Sequence, residues 1–162
     1  MKGTEKYLEM VAALLGEETT LSLATTGEDG QSCVAPLFYI ANEDLTLYWL
    51  SSPASEHSLN LERSCRATAT VYRSVESWRQ IRGVQMRGEV SMVANAKRRA
   101  EIIEAYRRRF EIGRVFSLLL RQSVVYAFKL EFLRFIDNAR VFGFKFELAR
   151  QAEGWQLVRS KN

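Results

Sequence analysis

The chain has 162 residues, of which 47% are hydrophobic and 26% charged, a composition typical of one globular domain. It contains no apolar run of about 18 residues, which argues against a transmembrane helix, and its N-terminus lacks the apolar core of a secretory signal. We therefore expect a single-domain cytoplasmic protein spanning residues 1–162. Cys33 and Cys65 are the only cysteines, so two free thiols are expected rather than a disulfide framework.

The net charge is +4, and much of the positive charge lies in one stretch of the chain. Such a stretch could attract nucleic acid or another anionic partner. It could equally be the solvated face of a helix. Its members are Lys97, Arg98, Arg99, Arg107, Arg108, Arg109, Arg114 and Arg121.

The N-terminal third is predicted to hold one helix followed by three strands. The apolar spacing of Leu8, Val11 and Leu15 predicts a helix over residues 5–15, which Gly16 should end. Alternating or β-rich runs predict strands over residues 19–26, 32–41 and 45–50, joined by short turns. Pro36 falls inside the second of these strands, so that strand should lie at a sheet edge or contain a bulge.

Beyond the third strand the predicted elements alternate between helices and strands. Ser52 followed by Pro53 predicts a helix over residues 53–62, with Ser52 as its N-cap. A longer helix over residues 96–110 should be capped by Asn95. The other predicted elements are strands over 67–73, 81–93, 124–136, 141–148 and 155–158, and a helical turn or two over 116–120.

The order of elements predicts a mainly β fold with flanking helices. Tight turns make neighbouring strands antiparallel, and six or more such strands can close into a barrel. Aromatic side chains share one face of the strand predicted over residues 141–148, where they would form either core or a subunit interface. These side chains are Phe142, Phe144 and Phe146.

The junction between the third strand and the following helix carries the most informative residues. Three serines, Ser51, Ser52 and Ser55, stand just before His57, the only histidine of the chain. Hydroxyl donors, a helix N-terminus and a histidine that can be protonated would together suit a phosphate monoester. Simple N-capping by Ser52 and a surface histidine explain the same residues equally well.

Other chemistry finds little support in the sequence. One histidine and two distant cysteines give no zinc-ligand spacing, so no metal site is expected. A nucleophilic pair of His57 with Cys33 or Cys65 would lack an obvious third residue to orient it. Neither a dinucleotide-binding glycine motif nor a phosphate-binding loop of the P-loop type is present.

The serine junction and its surroundings resemble the pyridoxamine-phosphate-oxidase-like split barrels, which hold the phosphate of FMN with such a pattern. In this chain the pattern is Ser51, Ser55, His57 and Leu61. Residues 21–26, 33–39, 67–71 and 78–88 are similar to the first, second, fourth and fifth strands of that family. The resemblance, closest to a small bacterial subgroup of unknown function, implies a six-stranded antiparallel Greek-key barrel with flanking helices, with FMN as cofactor and a homodimer as the assembly.

The resemblance also implies roles for individual residues. Ser51, Ser52, Ser55 and His57 would bind the phosphate, and His57 stands where relatives commonly have lysine or arginine. Gln85 could reach the flavin, and Trp78 would either cover its ring or anchor a loop. The backbone of a second-strand segment would face the edge of the isoalloxazine ring. That segment consists of Val34, Ala35, Pro36 and Leu37.

Two departures from the family pattern bear on the substrate. Glu56 replaces an arginine of pyridoxamine phosphate oxidase itself, and a carboxylate beside a phosphate is unfavourable unless it points away. The C-terminal substrate signature of that enzyme has no counterpart in residues 134–162. The expected function is therefore an FMN-dependent oxidoreductase whose substrate is not pyridoxamine phosphate.

Two further hypotheses stay open. The protein could bind a flavin or heme without turnover, although heme would need a ligating histidine and His57 is already assigned to the phosphate. It could also be a basic nucleic-acid-binding barrel, which would require aromatic side chains beside the arginines. Tyr106 and Phe110 fall instead on the apolar stripe of their helix, which argues against that hypothesis.

Overall fold

The computed structural model describes residues 3–113, 120 and 122–161. Over these residues the helices are α1 (Glu5–Glu17), α2 (Glu56–Arg63) and α3 (Ala96–Arg109), with a short 3-10 helix at Trp78–Gln80. The strands are β1 (Thr20–Thr26), β2 (Ser32–Phe38), β3 (Ile40–Ala41), β4 (Leu47–Ser51), β5 (Arg66–Tyr72), β6 (Arg82–Met92), β7 (Val124–Asp137), β8 (Lys145–Gln151) and β9 (Gly154–Lys161). The turn predicted over 116–120 lies, apart from residue 120, outside the described residues, as do Arg114 and Arg121.

All nine strands belong to one antiparallel sheet with the order β2-β1-β5-β6-β7-β4-β3, extended by β8 on β7 and β9 on β8. The fourteen-residue β7 joins the two halves, because it pairs with β6 along one edge and with β4 and then β8 along the other. The two ends of the main path, β2 and β3, are separated in the chain only by Tyr39. Tyr39 is buried, and its hydroxyl donates to the Leu15 carbonyl at 2.8 Å.

The mainly β class with flanking helices is confirmed, and two details of the expected barrel differ. The sheet has nine strands rather than six, and no ladder between described residues joins β2 to β3, so the sheet is not closed. Two of the three additional strands form the hairpin β8–β9, which extends the sheet from β7. The third arises because the strand predicted over 32–41 is interrupted at Tyr39 and forms both β2 and β3.

The core follows from the alternation of side chains along each strand. One face of β1, β5 and β6 is buried, and α1 covers part of the core with Val11, Leu14 and Leu15. Trp49 of β4 is fully buried and stacks on Tyr126 at 5.6 Å between ring centroids. The opposite face of β1, β5 and β6 remains accessible.

Gly88 allows β6 and β7 to approach closely at a break in their register. The pairing shifts between Arg87 and Gly88. A Cβ atom at Gly88 would lie only 2.0 Å from the Lys129 carbonyl oxygen. No side chain fits in that space, so this position requires glycine.

Several predicted boundaries were wrong. The helix predicted over 53–62 begins at Glu56, and the strand predicted over 141–148 begins at Lys145. Phe142 is therefore 74% exposed in a turn, whereas Phe144 and Phe146 are buried. The edge position predicted from Pro36 is confirmed, since β2 ends the sheet.

Candidate functional site

The junction between β4 and α2 is a turn rather than an immediate helix start. The Ser55 N–H donates to the Ser52 carbonyl at 3.1 Å, and the Ala54 N–H donates to Ser52 Oγ at 3.2 Å. Proline is equally favourable at the second position of a β-turn and at the first position of a helix. Here Pro53 occupies the turn, so Ser55 is the N-cap residue of α2 and the predicted capping role of Ser52 is wrong.

His57 is the centre of a serine cluster at this junction. Its Nε2 atom lies 2.8 Å from Ser51 Oγ and 3.0 Å from Ser55 Oγ. Ser55 Oγ in turn lies 2.8 Å from Ser58 Oγ. The histidine side chain is buried, with 8% of the residue exposed, so it is not the surface histidine that the sequence also allowed.

The surroundings of His57 favour its neutral form. Burial lowers the pKa of the imidazole, and the negative charge of Glu56 only partly opposes this effect. A neutral ring has one donor and one acceptor nitrogen, so Nε2 can serve the two serine hydroxyls in only one role at a time. An anion placed among these three groups would favour the protonated ring and raise the same pKa.

The charge of Glu56 acts on β2 as well as on His57. The pKa of the Cys33 thiol is raised by burial and, next, by a hydrogen bond and charge interaction with Glu56. The start of α2 therefore lies near β2, and the charge of Glu56 acts on both Cys33 and His57. Further along α2, Asn60 Nδ2 donates to Thr25 Oγ1 of β1 at 3.1 Å, and both side chains are buried.

The open edge of β2 can be located from its ladder with β1. The Gly27 N–H donates to the Gln31 carbonyl at 2.8 Å, and the Tyr39 N–H donates to the Thr19 carbonyl at 3.1 Å. These two pairs flank a regular register from Thr20–Phe38 to Thr26–Ser32. Hydrogen-bonded pairs alternate along an antiparallel ladder. The backbone groups of the odd-numbered residues of β2 therefore bond to β1, and the backbone groups of the even-numbered residues point away from β1.

Val34 and Pro36 therefore present their backbone groups at the open edge of β2. Pro36 has no N–H, so it leaves no unpaired donor there. The next residue in this series, Phe38, shows the same direction, because its carbonyl accepts from the Tyr106 hydroxyl at 3.3 Å. The residues whose backbone groups point instead to β1 are Cys33, Ala35 and Leu37.

The accessible face of the sheet contains a groove of about 510 Å³, which includes two of the predicted site residues. Val34 of β2 and Gln85 of β6 both line it. Arg87 and Phe132 line it as well, and the sequence analysis did not select them. The available signal was strand periodicity, since Arg87 lies two residues beyond Gln85 and shares its face.

Trp78 lies in a different environment from the serine cluster. It is 52% exposed, its ring meets Phe142 edge-on at 5.1 Å, and Arg79 stacks over it at 4.7 Å. Its carbonyl accepts from Asn138 Nδ2 at 2.8 Å. These contacts link the β5–β6 and β7–β8 connections, so they fit the loop-anchoring role; its role toward the flavin ring stays a prediction.

Comparison with known proteins gives the family. The sequence profile of the pyridoxamine 5'-phosphate oxidase family matches residues 8–136, which is most of the chain. The chain belongs to this family. Among its relatives, the UPF0306 protein of Cronobacter sakazakii is 26% identical over 138 residues, which cover 85% of this chain and 92% of the relative.

Solved structures with the same fold differ in what they bind. A pyridoxamine 5'-phosphate oxidase-related, FMN-binding protein from Nostoc punctiforme aligns with a TM-score of 0.70 and 12% identity, covering 99% of this chain and 95% of that one. HutZ, the heme storage protein from Vibrio cholerae, aligns with a TM-score of 0.65 and 19% identity, covering 76% and 89%. At these identities the similarity establishes the fold alone.

Proposed function

We propose that the protein is an FMN-binding oxidoreductase whose phosphate site is the Ser51–Ser55–His57 cluster. The main observation in its support is that two serine hydroxyls lie within hydrogen-bond distance of one histidine nitrogen at the N-terminus of a helix. Hydroxyls, helix N–H groups and a protonated imidazole are all donors to a phosphate oxygen. The family relationship supports the same assignment.

Glu56 affects this assignment through its negative charge. Its charge acts on the Cys33 thiol of β2 and also on His57, whose protonated form it favours. Relative to the arginine of pyridoxamine phosphate oxidase, Glu56 therefore puts a negative charge near the cluster, which favours protonated His57 but repels a phosphate. It also removes one positive charge, so more of the phosphate recognition would fall on His57.

The ring of the cofactor would lie along the open edge of β2. The Val34 N–H and the carbonyls of Val34 and Pro36 offer one donor and two acceptors to the polar edge of a planar ring. The helix α2 lies next to β2, which brings this edge near the phosphate site. Bound FMN would supply hydride or electron transfer, while the protein supplies its position and electrostatic surroundings.

A homodimer would complete the site in this proposal. The accessible face of the sheet exposes apolar side chains of β2, among them Val34 at 64% and Phe38 at 54%. A second subunit packed near this edge would cover these side chains and shield the ring from water.

None of the described helices has the length and hydropathy needed to cross a membrane.

Heme is the second candidate ligand, supported by the structural similarity to HutZ. The single histidine of the chain argues against heme, since His57 is buried and its Nε2 atom is engaged by Ser51 and Ser55.

Nucleic-acid binding gains no support from α3. Tyr106 is buried there, and two of the arginines pair within the helix, Arg98 with Glu101 and Arg107 with Glu104.

Substitution of His57 tests the proposal. His57→Ala should weaken FMN binding by about ten-fold or more, the value of one charge-assisted hydrogen bond, and riboflavin binding by less than about two-fold. His57→Lys should retain the preference for FMN, and Ser91→Ala, at an exposed serine on β6, is the control. Affinities follow from quenching of flavin fluorescence. Equal losses for FMN and riboflavin would refute the role of His57.

A further inference from the structure

Two cross-strand rows of side chains form the accessible face between β2 and β7. In the first row Val34, Ala24, Thr68, Arg87 and Phe132 stand directly opposite one another on successive strands. The second row, one step along, consists of Pro36, Ser22, Thr70, Gln85 and Arg134. The middle strands carry small side chains in both rows, which produces a trough between taller neighbours.

The trough consists of two adjoining hollows. The larger is the groove of about 510 Å³, and the smaller has a volume of about 240 Å³. Both are lined by Ala24, Thr68 and Arg87, so Arg87 stands between them. The larger volume is in the range of small-molecule sites.

Arg87 differs from the arginines around it. Arg66 pairs with Glu131 at 2.6 Å, and Arg134 pairs with Glu147 at 2.8 Å. Within the described part of the chain, Arg87 has neither an ion pair nor a hydrogen bond. Its guanidinium instead stacks on Phe132, 4.2 Å from the ring centroid, which orients the group while leaving its N–H donors unused.

We propose that this groove binds a planar anion and that Arg87 is the residue that recognises its carboxylate or phosphate. A guanidinium binds such groups through two parallel hydrogen bonds. The Thr68 hydroxyl lies across the ladder from Arg87, and Phe132 and Val34 provide apolar contact for a ring.

The proposal rests on the proposed function and names its substrate class as small planar carboxylates or phosphate monoesters. Val34 connects the groove with the proposed flavin site, because its side chain lines the groove while its backbone lies at the open edge of β2. A ligand held by Arg87 would thus lie on the same strand as the flavin ring. The groove would then supply the substrate site that the missing C-terminal signature leaves unassigned.

Binding of benzoate and phenyl phosphate, measured by calorimetry on protein saturated with FMN, tests the proposal. Benzamide is the neutral control ligand. We expect both anions to bind and benzamide to bind at least about ten-fold more weakly, since it lacks the charge. Arg87→Gln should weaken anion binding by about ten-fold, whereas Arg150→Gln, at an arginine that stacks on Trp155 and does not line the groove, should change it by less than about three-fold.

Three results would overturn the proposal. The first is no anion binding at millimolar concentration, and the second is an equal loss in the Arg87 and Arg150 variants. The third is a dimer that Arg87→Glu dissociates while anion binding is unaffected, which would make the groove a subunit interface. FMN affinity, measured separately, should be within about two-fold of the wild-type value in Arg87→Gln. Failure of FMN binding in the wild type would refute the proposed function, while anion binding to flavin-free protein would still report on the groove.

Discussion

Phe146 and Phe142 offer a direct test of the packing, because the sequence places them on one face of one strand and the structure separates them. Phe146 is fully buried, stacks on Phe135 at 5.0 Å, and meets Tyr7 at 4.5 Å. Phe142 is 74% exposed, and its described aromatic neighbour is Trp78, at 5.1 Å between ring centroids in an edge-to-face arrangement. Truncation of the two side chains should therefore have very different costs.

Phe146→Ala should lower the free energy of unfolding by about 3–5 kcal/mol, the usual cost of removing a buried phenylalanine. Phe142→Ala should lower it by about 1 kcal/mol or less, the value of one aromatic pair at the surface. For a domain of this size the first change corresponds to a fall in melting temperature of roughly 6–20 °C. Equilibrium unfolding in urea measures both losses, provided that the free energy of unfolding depends on urea concentration with the same slope in each variant.

The total stability of a domain is only about 5–15 kcal/mol, so Phe146→Ala could leave too little folded protein to measure. Phe146→Leu retains most of the apolar volume and should cost less than the alanine variant while still exceeding Phe142→Ala. Similar losses for Phe142→Ala and either Phe146 variant would refute the structural position of β8.

Two further predictions concern the backbone and the pH dependence of folding. Gly88→Ala should destabilise the protein by at least about 2 kcal/mol, because the new Cβ atom would collide with the Lys129 carbonyl 2.0 Å away. Gly16→Ala, inside α1 with no atom within 4 Å of the new Cβ, should stabilise it by about 0.5–1 kcal/mol; a reversed order of thermal midpoints would contradict the register of β6 and β7. Burial lowers the pKa of His57 in the folded protein, so as pH falls below about 6.5 the imidazole is protonated in the unfolded chain before it is protonated in the folded one. The flavin-free protein should therefore lose stability as pH falls below about 6.5. That loss should be smaller in His57→Ala, and an identical pH profile for the variant would contradict a buried neutral histidine.

Local sequence patterns predicted the long elements well. The alternation in β6 and β7 and the apolar stripe of α3 produce boundaries within about two residues of those observed, as expected where periodicity is strong. Asn95 was predicted as the cap of α3, and its side chain accepts from the Arg98 N–H at 2.9 Å. These features depend on residues close together in the chain.

Errors occurred where one motif fits two local structures. Ser52–Pro53 suits both a helix start and a β-turn, and contacts that the sequence does not contain decide between them. The aromatic alternation of residues 142–146 suits a strand, yet the turn preceding Lys145 removes Phe142 from it. Local preference is a weak signal when tertiary packing can override it.

The sequence pointed to residues of the β4–α2 junction but not to their geometry, and the phosphate site there stays a prediction. The residue types and spacing of Ser51, Ser55 and His57 indicated a phosphate site, whereas the burial of the histidine depends on the packing of α2 against distant strands. The separation of Val34 and Pro36 from Ala35 and Leu37 follows from the ladder with β1, which no local pattern specifies. The same non-local register brings Arg87 beside Phe132.

The central claim is that the β4–α2 junction holds the phosphate of FMN. Titration of the purified wild-type protein with FMN and, separately, with riboflavin tests it most directly, because the two ligands differ only in that phosphate. We expect quenching of FMN fluorescence at micromolar protein, with FMN bound at least about ten-fold more tightly than riboflavin. Absence of FMN binding, or equal affinity for the two flavins, would contradict it.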